Sequence, residues 1–188
     1  MKTTVKSILI LAIAATTASF TSNLLEKVSI KESTIKWEGK KVTGSHNGTI
    51  NLKEGYFEME NDEIKGGKFV IDMTSLVSTD LTGDSKGKLE GHLKSDDFFG
   101  TDSHPEATLV ITNTTKTGTG YKVTGDITIK KTTQPITFDL DVDDNTATTQ
   151  LTIDRSKFDI RYGSGSFFDN LGDKTIYDDF TLDVELKF

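Results

Sequence analysis

From Lys31 onward, apolar and polar residues alternate in short runs, the period-2 pattern of strands with one buried and one wet face. The cleanest runs lie near the C-terminus. Over 135–143, Ile136, Phe138, Leu140 and Val142 share one face and Thr137, Asp139 and Asp141 the other. Over 179–188 the inward set is Phe180, Leu182, Val184, Leu186 and Phe188. The same rule holds over 121–130 (Val123, Ile127, Ile129 inward) and 146–154 (Ala147, Thr149, Leu151, Ile153 inward), and it predicts earlier strands at 34–38, 43–52, 56–60, 64–72 and 107–113. Asn61-Asp62, Gly118-Thr119-Gly120 and Asp143-Asp144-Asn145 read as hairpin turns, because Gly, Asn and Asp tolerate the positive φ such turns need. A meander of strands like this stacks as a sandwich or closes as a barrel, and alternation alone does not separate the two.

Two stretches break the alternation. Between Leu76 and Ala107, Leu89 and Leu93 sit four apart with His92 between them, which predicts a short helix weakened by Gly87 and Gly91. A connection of that length in a compact β domain is expected to be functional or to pack as a lid. At the other end, a basic start (Lys2, Lys6), an apolar run and a small-residue exit at Ala18 predict a signal peptide over 1–18. A lead-in over 19–32 and one β domain over 33–188 would follow, the mature chain being free in a periplasm or outside the cell, with no membrane span and no cysteine for lipid attachment.

Composition narrows the chemistry. With 22 basic and 29 acidic residues the chain is net −7, and losing Lys2 and Lys6 with the signal would leave 20 against 29, or −9. Nucleic acid is therefore not an expected partner, since binding it needs a basic footprint. The absence of cysteine removes disulfides, thiolate nucleophiles and Cys-type zinc sites. His46, His92 and His104 show no metal-ligand spacing, and no catalytic constellation, metal site or cofactor site is expected. DVDDN (141–145) lacks the spacing of a calcium loop, Asp154-Arg155 reads as a local ion pair at a strand end, and GSGS (163–166) as a flexible loop.

Five segments taken together resemble the YceI-like family: STIKWEGKKVTGSHNGTINLKEG (33–55), GGKFVIDMTSL (66–76), KLEGHLKSDDFFGTDSHPEATL (88–109), VTGDITIKKTTQPITFDL (123–140) and LTIDRSKFDIRYGSGS (151–166). The resemblance implies an all-β fold, a closed antiparallel eight-stranded lipocalin-like barrel with the 76–107 connection as a helical cap. It further implies a carrier for a polyisoprenoid or similar long-chain lipid, quinone or plain isoprenoid, held in the apolar interior. The ligand-binding candidates are Phe57, Phe69, Met73, Leu89, His92, Leu93, Phe98, Phe99, Phe138, Phe158 and Phe180. Adjacency in Phe98-Phe99 and Phe167-Phe168 suggests one ring of each pair in the core and its neighbour toward a cavity or mouth, as in an extended segment. His92, Lys94, Asp96 and His104 are candidates for the polar head group, with Lys88, Lys94 and Arg155 as local cations for any phosphate. The competing readings are a filled β module that binds protein or glycan through its loops, and an enzyme working through His92 or His104. Whether the barrel pairs as a homodimer is not encoded in any of these patterns.

Overall fold

In the computed structural model, which describes residues 25–188, the alternating runs become β1 (Glu26–Ser29), β2 (Glu32–Lys41), β3 (Gly44–Glu60), β4 (Glu63–Ser78), β5 (Glu106–Lys116), β6 (Gly120–Ile129), β7 (Thr132–Asp143), β8 (Thr146–Asp154) and β9 (Ile176–Lys187), with one α-helix, α1 (Gly83–Lys94), between β4 and β5. The expected signal peptide, 1–18, lies outside the described residues. Every pairing is antiparallel, in the order β3-β2-β9-β8-β7-β6-β5-β4, and β4 pairs back onto β3. The fold is a closed eight-stranded antiparallel barrel with one short helix. Closure covers most strand edges, but β7 and β8 pair only over 141–143 and 146–148.

The alternation places the inward side chains as expected on the late strands. Val123, Ile127 and Ile129 on β6, Leu140 on β7, Ala147, Leu151 and Ile153 on β8 and Leu186 on β9 are all buried. The early strands differ. Residues 43–52 and 56–60, read as two strands, form the single 17-residue β3, whose register against β4 shifts between Leu52 and Glu54. The Lys53-Glu54-Gly55 stretch that looks like a turn is thus an irregularity that bends one long strand around the barrel. β4 runs on to Ser78, past the polar Asp72 and Thr74, and β1 lies within the expected lead-in, adding a ninth strand to the second half of β3 from Glu26↔Met59 to Ser29↔Tyr56.

The two ends of the barrel are built differently. At one end lie tight turns, with Asn61 (φ 51°), Asp62 (φ 61°) and Asp144 (φ 49°) in the left-handed conformation that hairpins demand. At the other lie α1, a 3₁₀ turn at Arg155–Phe158 and the segment 159–175. The helix runs through Gly87 and Gly91, and the Glu90 carboxylate accepts a hydrogen bond from the Ser78 backbone N–H at 2.8 Å, pinning α1 to the end of β4. Asp84 in its first turn and Lys94 in its last match the helix dipole. Among the described residues no helix is long and apolar enough to cross a membrane.

Candidate functional site

The interior divides along the barrel axis. The turn end is plugged by Phe57, Ile64, Phe69, Ile111, Tyr121, Val123, Leu140, Leu186 and Phe188, where Phe57 meets Phe69 and Phe188 edge to face at ring-centroid distances of 5.2 and 5.0 Å. Edge-to-face contacts of this kind add roughly 0.5–1.5 kcal/mol each to the burial of the rings themselves. The Tyr121 hydroxyl, the polar atom carried into this plug, accepts a hydrogen bond from the Ile64 N–H at 3.2 Å. Above the plug, toward the helix end, a cavity of about 170 Å³ remains. Its wall is almost entirely carbon and includes Ile35, Trp37, Ile50, Ile127, Leu151 and Leu182.

Of the sequence-predicted residues, Phe57, Phe69, Met73, Leu93, Phe98, Phe99, Phe138 and Phe180 border this cavity. Leu89, His92 and Phe158 do not. Phe158 is buried in the surrounding core and Leu89 packs against that core from α1. His92 lies between Phe98 and Tyr162, at ring-centroid distances of 5.6 and 4.3 Å, with its Nε2 enclosed and without a hydrogen-bond partner.

The adjacency argument fails in both aromatic pairs, for opposite reasons. Phe98 and Phe99 sit in a turn rather than an extended strand, so both rings reach the same cavity, 5.0 Å apart. Lys130 fixes that turn by donating to the Phe98 carbonyl at 3.1 Å. Phe167 and Phe168 remain 40% and 50% exposed, facing neither core nor cavity. Their loop is held rather than free: Ser164 is fully buried and bridges Ile176, while the Ser166 hydroxyl donates to Asp178 Oδ2 at 2.6 Å.

Arg155 differs most from its expected role. It is 1% exposed and pairs with Asp178 (3.3 Å to Oδ1), not with the adjacent Asp154. Its Nε donates to the Tyr177 carbonyl (3.2 Å), Nη1 to Ile160 and Tyr162 (2.9 Å each) and Nη2 to Ile176 (3.0 Å). Four carbonyls therefore take four of the five guanidinium N–H groups, and the Asp178 carboxylate adds an ion pair to Nη2. Burial pulls its pKa down, opposed by the charges of Asp178 and Asp154. Asp154 instead caps the 3₁₀ turn, accepting from the Ser156 N–H at 3.0 Å.

Two wall residues were not anticipated. Trp37 follows Ile35 on the inward face of β2, and its indole N–H donates to the Val77 carbonyl at 3.1 Å. The facing residue on β3 is Gly48, where a Cβ would stand 2.7 Å from the indole and 1.8 Å from the Val77 oxygen. Position 48 is thus glycine so that the only tryptophan of the chain can lie flat against the wall. Gly39, next on the inward face after Trp37, also borders the cavity. In both cases the alternation was present in the sequence, and only the strand pairing reveals what stands opposite.

The remaining titratable candidates, Lys88, Lys94, Asp96 and His104, do not border the cavity. His46 Nδ1 lies 2.8 Å from Asp80 Oδ2, linking the start of β3 to the chain just after β4. Partial burial of Asp80 opposes its ionisation, but hydrogen bonds with His46, Ser78 Oγ and the Asn47 N–H outweigh that and lower its pKa to about 2. Among the described residues no group of three or more His, Asp and Glu side chains is arranged to hold a metal ion.

With this geometry established, relatives become informative. The sequence profile of the YceI-like domain matches residues 27–188, from β1 to the end of the barrel. The chain belongs to that family. The YceI protein of Shigella flexneri is 32% identical over 92 residues, covering 49% of this chain and 46% of that protein, and a UPF0312 protein of Shewanella denitrificans is 29% identical over 91 residues, 48% and 46%. The chain therefore matches about half the length of these curated YceI relatives. Among solved structures, BcnA of Burkholderia cenocepacia superposes with a TM-score of 0.66 at 22% identity, over 82% of this chain and 94% of BcnA. A structure described as a polyisoprenoid binding domain from Saccharophagus degradans gives 0.59 at 14% identity, over 87% and 97%. At such identities these two establish that the YceI-like barrel shares their fold.

Proposed function

We propose that this YceI-like protein is a non-catalytic carrier that holds a polyisoprenoid or similar apolar lipid in its barrel, in a periplasm or outside the cell. The carrying observation is the cavity itself: about 170 Å³ of space inside a closed barrel, walled by Trp37, Met73, Leu93, Phe98, Phe99 and Phe180, its surface almost entirely carbon although Lys40, Arg155 and Asp179 stand at its border. Such a wall offers dispersion and the release of water, and nothing that would polarise a bond. Family membership and the polyisoprenoid binding domain that shares this fold support the same reading. Each apolar carbon moved from water into the wall contributes roughly 0.8 kcal/mol before ordering costs, so affinity needs no charge pairing.

Solvent extraction of the protein purified from its own host, followed by mass spectrometry, tests the reading. An isoprenoid recovered in near-equimolar amount is the expected result. Protein that carries no lipid and takes up neither prenols nor quinones when offered them would sink it.

A further inference from the structure

A wall of paired strands presents only its inward side chains to the interior. Four outward residues nevertheless border the cavity, and three of them, Lys40, Tyr177 and Asp179, stand together where β2 meets β9; the fourth is Thr108 on β5. The pairing explains the concentration. Gly39 opposes Phe180 and Lys41 opposes Ile176, so a single residue of β2 faces three of β9 and the ladder is interrupted there. Gly39 continues the inward row of Ile35 and Trp37, yet a Cβ built on it would meet nothing within 4 Å, and its φ lies outside the left-handed region. Nothing in the backbone therefore requires glycine at this place. What glycine does there is leave a space open at the edge of the cavity.

We propose that this interruption is the ligand portal, with the lipid passing between β2 and β9 beside Gly39 and its polar end resting among Lys40, Tyr177 and Asp179. The proposal rests on the lipid-binding reading above. An ammonium, a phenol and a carboxylate offer both donors and acceptors and sum to no net charge, which suits a hydroxyl or carbonyl head group and disfavours a phosphate. The helix-end cap makes a poorer route, because the Phe98-Phe99 turn is held by Lys130.

The absence of native cysteine permits a test in the folded protein. Gly39→Cys is purified and modified with a benzyl methanethiosulfonate, and uptake of a conjugated-polyene isoprenoid alcohol is followed by quenching of Trp37. Because the block is installed after folding and removed by dithiothreitol, slow uptake cannot be ascribed to a misfolded variant. The uptake rate should fall by about tenfold or more in the modified protein and recover on reduction, as expected when access limits the rate. Uptake at the unmodified rate would overturn the portal and leave lipid binding standing, whereas an unmodified protein that takes up no prenol at all would remove both. In a second arm, Asp179→Asn should raise uptake of a prenyl phosphate relative to the matching alcohol; an unchanged ratio would strip Asp179 of its place beside the head group.

Discussion

Single residues here matter through what stands opposite them. Gly48 and Trp37 are partners across β2 and β3, and an added methyl at position 48 must displace either the indole or the Val77 carbonyl. Gly48→Ala should therefore destabilise the barrel by about 1–3 kcal/mol, the usual range for overpacking, read as a lower urea midpoint. Trp37 fluorescence reports the same site directly. The alternation Ile35, Trp37 made the indole legible as inward-facing, but the sequence alone does not say that residue 48 is its neighbour, since that follows from register. Asp80 gives a residue-scale prediction in pH. Its folded pKa of about 2 lies below the ordinary aspartate value, so its contribution is present above pH ~4 and is lost as pH falls through about 2. The contribution is on the order of 1–2 kcal/mol after allowing for solvent screening at a side chain 23% exposed. Asp80→Asn should lower stability at neutral pH and flatten the loss between pH 4 and 2 seen in chemical denaturation of the unaltered protein. Equal acid slopes in the two proteins would remove the His46–Asp80 contact from the account.

At the scale of elements, the late strands and the short helix were readable and the 155–178 segment was not. β6 to β9 have one face in the core and one in water, so the burial pattern imprints itself on the sequence at period 2. β3 is irregular at three points against β4, and the one between Leu52 and Glu54 moves its inward face by one residue, which made one strand look like two. The 155–178 region carries no periodicity, because it is organised by a buried cation rather than by a hydrophobic face. Arg155 gathers carbonyls from 160, 162, 176 and 177 and the carboxylate of Asp178, joining the 3₁₀ turn, the following loop and the first residues of β9. Removing it takes the guanidinium from those carbonyls and leaves the Asp178 carboxylate with Ser166 but without its cation. Arg155→Ala should cost about 3–5 kcal/mol, the range for breaking one side of a buried pair, with amide exchange increasing first over 160–178. Arg155→Lys should recover only part of the loss, because an ammonium has three donors for five acceptors. Full recovery by lysine would mean that charge, not the forked geometry, holds this end together.

The whole molecule poses a question of volume. A lipid pocket ordinarily offers roughly 300–1,000 Å³, while a space near 150 Å³ is sufficient for a single benzene ring. The cavity here, about 170 Å³, lies close to the smaller figure because the Phe57 plug fills the turn end and Phe98 and Phe99 reach in from the other. A long isoprenoid must therefore create room, and the two ends differ in how readily they can yield. The plug packs Phe57, Ile64, Tyr121 and Phe188 together as buried residues, so opening it would expose a continuous apolar cluster. The Phe98-Phe99 turn belongs to the connection over α1, whose own residues are nowhere fully buried and whose tether to the wall includes the Ser78–Glu90 hydrogen bond. The expected behaviour is a break in a chain-length series. Short prenols of about one or two isoprene units should raise the melting temperature without altering amide exchange, since they fit the existing space. Longer ones, of about four units or more, should bind more tightly through added apolar contact and at the same time increase exchange across α1 and residues 95–104, as the cap is pushed outward. Glu90→Gln, which weakens the tether, should favour long prenols over short ones in competition. If long prenols bind with exchange increasing at the turn end instead, then the plug is the part that moves, and the cap is a fixed wall.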